Sequence, residues 1–206
     1  MKILAIGPHP DDIEFGCGGS LLIAKDKKYA IDLLVMTQGG GGGDLQKRTK
    51  EQKTIAKVLN AKLRWGGLTD TRVELNRELI QLLEREINIA APDLIFAPYN
   101  KDTHQDHRNI SLAVLTAARA HQNVLFYELP SSLDFLPKVY VNISSVVTRK
   151  YMLLRAHSSQ VNKTKNNGAG ILKNAEATAV FRGVQNSVKY AEGFMPLKLE
   201  MADFKC

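Results

Sequence analysis

Cysteine is scarce: Cys17 and Cys206 are the only two in 206 residues. They make no C-x-x-C pair, and one lies near the start while the other ends the chain, so neither a zinc knuckle nor a disulfide framework is expected. Cys17 reads as a small buried residue and Cys206 as a tail residue. Long apolar runs are also missing, since none approaches the ~18 residues that a membrane helix needs. The opening Met1–Gly7 stretch is too short for a secretory h-region and reads as a first buried strand, so the expected address is cytoplasmic. Aromatic residues make up only 7% and do not interleave with basic ones. With no recognisable nucleic-acid module either, the net charge of +7 does not make a nucleic-acid partner. No internal repeat is found, and no linker divides the first ~130 residues.

What remains is the composition of a soluble globular chain, 44% hydrophobic and 24% charged. The length suits one sizeable core better than two, so residues 1–206 read as a single domain. Short apolar runs at Lys2–Gly7, Ala30–Thr37, Asp93–Ala97 and Asn123–Glu128 read as strands, most of them buried on both faces. Amphipathic stretches separate them: Gly16–Lys27, Gln46–Ala61, Glu74–Ala90 and Ile110–His121. In the third, Leu75, Leu79, Leu82, Leu83 and Ile87 share one face and Pro92 follows the end. This alternation predicts a Rossmann-like, doubly wound α/β fold with a mostly parallel sheet and helices on both faces. The core is expected over about residues 1–130, with a less regular part from about 131 to 206. There Val139–Ile143 and Phe194–Met201 read as strands, Ser145–His157 as a helix, and the polar Asn162–Gly170 stretch as a surface loop.

Five consecutive glycines, Gly39–Gly43, follow the second strand. The run lacks the spacing of either phosphate-binding glycine motif, and its backbone freedom suggests a flexible lid. The basic cluster from Lys47 to Arg64 suits either a solvated helix face or a substrate bearing a negative group.

Two clusters carry the chemistry. Pro8-His9-Pro10-Asp11-Asp12-Ile13-Glu14 begins where the first strand ends, and Thr103-His104-Gln105-Asp106-His107-Arg108 follows the strand Asp93–Ala97. In open α/β sheets the carboxyl ends of the strands form the ligand crevice, so the two clusters can converge. Catalytic zinc takes three imidazole or carboxylate ligands and keeps a fourth position for water. His9 and Asp12 are three apart across a turn, and His104 and His107 repeat that spacing. Two histidines and one carboxylate complete a set, leaving one His and one Asp for acid–base work. Each cluster alone reads equally well as helix capping by Asp11, Asp12, Thr103 or Asp106. Both at matching positions in the fold do not.

Pro-His-Pro-Asp-Asp-x-Glu after a first strand, followed by Gly16-Cys17-Gly18-Gly19, resembles the PIG-L/LmbE superfamily of N-acetylglucosaminyl deacetylases. His104-x-Asp106-His107 resembles that family's second motif. Arg48-x-x-Glu51, Asp70-x-Arg72, Phe96-Ala97-Pro98 and His157-x-x-Gln160 extend the likeness from Ile3 to Gln160. The resemblance implies a zinc-dependent hydrolase that removes an N-acetyl group from an amino-sugar conjugate, with Fe²⁺ or Co²⁺ as other working metals. It implies that His9, Asp12 and His107 hold the metal and that Asp11 is the general base. It further implies that His104 stabilises the oxyanion, oriented or kept protonated by Asp106. Arg48 would reach the substrate and His157 would line its pocket, while Glu14 and Asp70 are left between support and capping. Gln105 stands where many relatives carry Pro. A homo-oligomer is a further expectation from the family. Two other classes stand beside the enzyme: a binding protein of the same fold without turnover, and a nucleic-acid module resting on charge alone.

Overall fold

The computed structural model describes residues 1–161 and 170–200. Its strands are β1 (Lys2–Gly7), β2 (Ala30–Thr37), β3 (Lys62–Leu68), β4 (Leu94–Pro98), β5 (Val124–Tyr127), β6 (Val139–Asn142) and β7 (Ala191–Lys198). Its helices are α1 (Asp12–Asp26), α2 (Leu45–Leu59), α3 (Arg77–Ala90), α4 (Gln105–Ala117), α5 (Val147–Ala156), α6 (Ser158–Val161) and α7 (Ile171–Gln185). The strands form one sheet in the order β3-β2-β1-β4-β5-β7-β6. β1 to β5 run parallel, and β7 and β6 close the far edge antiparallel. The expected doubly wound architecture is therefore present.

Alternation along β1 shows why both faces must be covered. Ile3 and Ala5 enter one core with residues of α1, α2, α5 and α7, whereas Leu4 and Ile6 enter the other with α3 and α4. Each strand side chain removed from water adds to the drive for folding, on the order of 2 kcal/mol for a full Leu or Ile. Gly16 lets α1 lie on Tyr127, since a Cβ there would sit 2.0 Å from the ring. The Tyr127 hydroxyl in turn donates to the Ile6 carbonyl oxygen at 2.8 Å. Among the described residues no helix is long and apolar enough to cross a membrane.

Three features depart from the sequence reading. β3 is absent from it because Lys62-Leu-Arg-Trp-Gly-Gly-Leu is an edge strand, half-exposed and without an apolar run. α7 is absent because its apolar residues do not keep to one side: Ala175 and Ala179 are buried while Val180, Phe181 and Val184 are exposed. With these elements the C-terminal part is as regular as the rest, and the last strand starts at Ala191 and not at Phe194. The loop expected at 162–170 lies outside the described residues except for Gly170, as does Cys206; Cys17 is a free, buried thiol.

Candidate metal centre and active site

The order of the sheet reverses between β1 and β4: the chain leaves β1 toward β2 and β3 and returns on the other side at β4. Loops leaving neighbouring strands at such a point diverge and open a crevice. The loop after β1 carries His9, Asp11 and Asp12, and the segment after β4 carries Asp102, His104 and His107. Between them is a cavity of about 360 Å³. Asp11, Asp12, His104 and His107 line it, with Phe15, Leu129, Pro130 and Ile171 as apolar wall and Thr103, Gln105 and Ser131 as polar wall.

At one edge of this cavity three ligand atoms meet. His9 Nδ1 lies 3.1 Å from Asp12 Oδ2, His107 Nε2 lies 3.3 Å from His9 Nδ1, and His107 Nε2 lies 3.5 Å from Asp12 Oδ2. Zinc bonds of about 2.0–2.1 Å in a tetrahedral arrangement place ligand atoms about 3.3 Å apart, so one ion fits at their common apex. The outer nitrogens support the same conclusion. His9 Nε2 faces Asp70 at 3.0 Å and Asp106 at 3.2 Å, and His107 Nδ1 faces Asp102 at 3.2 Å. With a metal bound, carboxylates there would hold the protons on the outer nitrogens and leave His9 Nδ1 and His107 Nε2 as ligands.

A second grouping, His9, Asp70, His104 and Asp106, also lies close together. Its acids are already engaged: Asp70 accepts the Gly41 N–H at 2.8 Å, and Asp106 accepts the Thr71 N–H at 2.8 Å and the Val73 N–H at 3.3 Å. These acids orient His9 and leave the open ligand set on its Nδ1 side.

The charges follow from this packing. Burial works against a charged His9, but Asp106, Asp12 and Asp70 outweigh it and hold its pKa well above 6.5. Burial alone would raise Asp12, yet His107 and His9 bring it down to about 2. Asp11 goes the other way: burial, then the neighbouring Asp12 charge, push its carboxyl up to about 6. His104 is lowered by burial and then by His107 and His9, which favours its neutral form.

Asp11 sits at the N-cap position of α1 without making a capping bond, and its backbone is left-handed at φ 100°. Such a conformation in a residue other than glycine costs on the order of 1–3 kcal/mol. Capping, the plain reading of this residue, is therefore not its role. In α4 the N-cap is His104, whose Nδ1 accepts the Asp106 backbone N–H at 3.2 Å.

The structure brings His9, Asp11, Asp12, His104 and His107 to one place and sets the other candidates behind them, off the cavity wall. Asp106 does not hold the His104 ring with its carboxylate; that group is spent on His9 and two backbone amides. Arg48 is buried, donating to the carbonyl oxygens of Pro10 at 2.7 Å and Gly39 at 2.8 Å and standing 3.4 Å from Asp11. It faces the chain, not the cavity wall. His157 is fully buried, with Nε2 3.1 Å from Glu14 Oε2, and Gln52 donates to the other Glu14 oxygen. The family resemblance places these residues near the crevice but cannot say which side of a helix faces it. In the glycine run Gly40–Gly42 form a 3₁₀ turn whose Gly41 amide donates to Asp70, and the carbonyl of Gly39 just before it accepts from Arg48.

Asp102 escaped the sequence reading. It is buried and accepts the His104 N–H at 2.8 Å besides facing His107. The one available signal was a second acid of that segment, two residues before His104. Asp70, left open in sequence, proves to face His9.

Comparison with known proteins places the whole chain. The model of the PIG-L family, described as GlcNAc-PI de-N-acetylase, matches residues 4–118. The uncharacterized deacetylase YaiS of Escherichia coli (strain K12) is 35% identical over 76% of this chain and 90% of its own. A conserved protein of Thermus thermophilus shares the fold, with a TM-score of 0.87 at 24% identity over 99% of this chain and 98% of that one. The N,N'-diacetylchitobiose deacetylase of Pyrococcus horikoshii, solved with an inhibitor, superposes with a TM-score of 0.82 at 25% identity over 95% of this chain and 83% of that one. The match spans the strand ends that carry both His/Asp clusters, and on that ground the chain belongs to the PIG-L family.

Proposed function

We propose that this protein is a metal-dependent hydrolase that removes the N-acetyl group from an N-acetylglucosamine-type sugar or conjugate. The observation that carries the proposal is the common apex of His9 Nδ1, Asp12 Oδ2 and His107 Nε2, with both outer imidazole nitrogens facing carboxylates. The deacetylases among its relatives support the choice of reaction. Zinc suits this donor set, with iron or cobalt as other occupants.

A divalent metal held there supplies Lewis acidity and a water acidified to near neutrality. The chain does the rest. Asp11, on the cavity wall beside Asp12, takes a proton from the attacking water and passes it to the departing nitrogen. A C–O bond forms, the C–N bond breaks, and acetate and a free amine leave. Neutral His104, its Nδ1 occupied by a backbone N–H, presents Nε2–H to the carbonyl oxygen as that atom gains charge. The apolar wall from Phe15, Leu129, Pro130 and Ile171 keeps water from the leaving group, while Thr103, Gln105 and Ser131 suit sugar hydroxyls. Among the described residues no Lys or Arg lines this cavity, and Lys50 and Lys53 border a separate groove with Leu45.

The test is acetate release from N-acetylglucosamine and from its glycosidic, nucleotide-linked and lipid-linked forms, with metal-free and zinc-loaded protein. Zinc-dependent release supports the proposal. Protein that binds one zinc and releases nothing from any member would instead be a binding protein, and protein that binds no metal would overturn the reading.

A further inference from the structure

The five glycines have no part in the chemistry above, yet they touch both of its halves. Asp11 needs something to hold its left-handed backbone, because it makes no capping bond. Arg48 does so from two sides: Nη2 donates to the Pro10 carbonyl oxygen, in the peptide that enters Asp11, and lies 3.4 Å from Asp11 Oδ1. The guanidinium reaches that point only because glycine surrounds it. A Cβ on Gly39, itself at φ 71°, would lie 2.3 Å from Arg48 Nη1, and a Cβ on Gly42 would lie 2.6 Å from the same atom. On its other side the turn donates the Gly41 and Gly42 amides to Asp70 Oδ2, while Asp70 Oδ1 faces His9 Nε2 at 3.0 Å.

We infer that Gly39, Gly41 and Gly42 are a positioning element of the active site, seating Arg48 so that Asp11 is held in its left-handed turn and Asp70 so that His9 is fixed. The inference rests on the proposed deacetylation. A mobile lid would have no reason to place glycine against a buried guanidinium, whereas a mould around it would. The turn joins the base and a metal ligand through separate side chains, so the two are set by one piece of backbone.

The decisive variant is Gly42→Ala, with Gly40→Ala as control because its Cβ would meet Leu45 at an ordinary 3.4 Å. Small displacements of a catalytic group cost as much as about 100-fold in rate. Gly42→Ala is expected to lower kcat by about 10- to 100-fold, leaving KM and zinc stoichiometry within about twofold, while Gly40→Ala matches wild type. In an Arg48→Ala background Gly42→Ala should add less than about twofold, since its effect passes through Arg48. A Gly42→Ala as active as wild type, or two losses that multiply in full, overturns the inference. Should Gly42→Ala fail to fold, Arg48→Lys must show the same loss of kcat at intact zinc binding, and full activity there overturns the inference. A wild type without deacetylase activity sinks the proposed reaction alone. The crystal structure of Gly42→Ala then decides: Asp11 leaving positive φ supports the positioning role, and Asp11 unmoved overturns it.

Discussion

The Asp102 carboxylate stands 3.2 Å from His107 Nδ1, on the far side of the ring from the three-atom apex. It also accepts the backbone N–H of His104, so the segment that delivers one histidine is tied to the acid that orients the other. Loss of such an outer partner typically lowers metal affinity by about 10- to 100-fold without removing a ligand. Asp102→Asn is expected to weaken zinc binding by that factor, measured by competition with a chromogenic chelator. Unchanged affinity would mean that His107 needs no orienting partner.

Asp11→Asn separates chemistry from metal binding. Asn fits the left-handed backbone and the volume but accepts no proton. The expected result is a kcat lower by about 10²- to 10⁴-fold at full zinc stoichiometry. Retained activity would assign the base elsewhere, and loss of zinc would make Asp11 a ligand.

His104→Ala removes the Nε2–H donor and the side-chain cap of α4. Losing one oxyanion donor costs about 10²- to 10³-fold in kcat, whereas losing a cap costs about 1 kcal/mol of stability. His104→Asn keeps a capping acceptor, so it should regain stability without regaining rate. Thermal melts and steady-state kinetics on both variants read the two effects apart, and a parallel recovery of both would reduce His104 to a cap.

The buried His157–Glu14 pair gives a pH-dependent term in stability. Burial opposes charge on His157, but Glu14, followed by Asp11 and Glu51, outweighs it and raises the pKa above 6.5. A raised histidine pKa stabilises the fold fully below the unfolded value and loses that contribution as pH climbs through the folded one. Glu14→Gln should therefore destabilise by on the order of 3 kcal/mol near pH 6 and by less at pH 9. Urea unfolding of both proteins at the two pH values checks the sign, and a difference that grows with pH would refute it.

Much of this was legible in the sequence for physical reasons. Buried parallel strands such as Ala30–Thr37 must be apolar on both faces, so their ends are sharp, and the His/Asp clusters stand where those ends fall. His9, Asp12, His104 and His107 stood out because turn spacing limits where a side chain can reach, and the family resemblance picked His9, Asp12 and His107 from among them. Arg48, His157 and Asp106 were harder. Each is a charged residue near the crevice, and only packing decides whether it faces substrate, backbone or another side chain. Asp102 and the glycine turn were hidden for the same reason, since their partners lie far away in sequence.

The pairing of β1 with β4 also sets an order of events. His9 and His107 are 98 residues apart, and their loops meet only after Ile3 has paired with Leu94 and Ala5 with Phe96. A ribosome must therefore release more than half of the chain before the two rings can share an ion. Metal loading is therefore expected to follow the folding of the sheet, and refolding rates unchanged by zinc would bear that out. The emerging N-terminal motif has only His9 and Asp12 to offer a passing cation, too few ligands to trap one early.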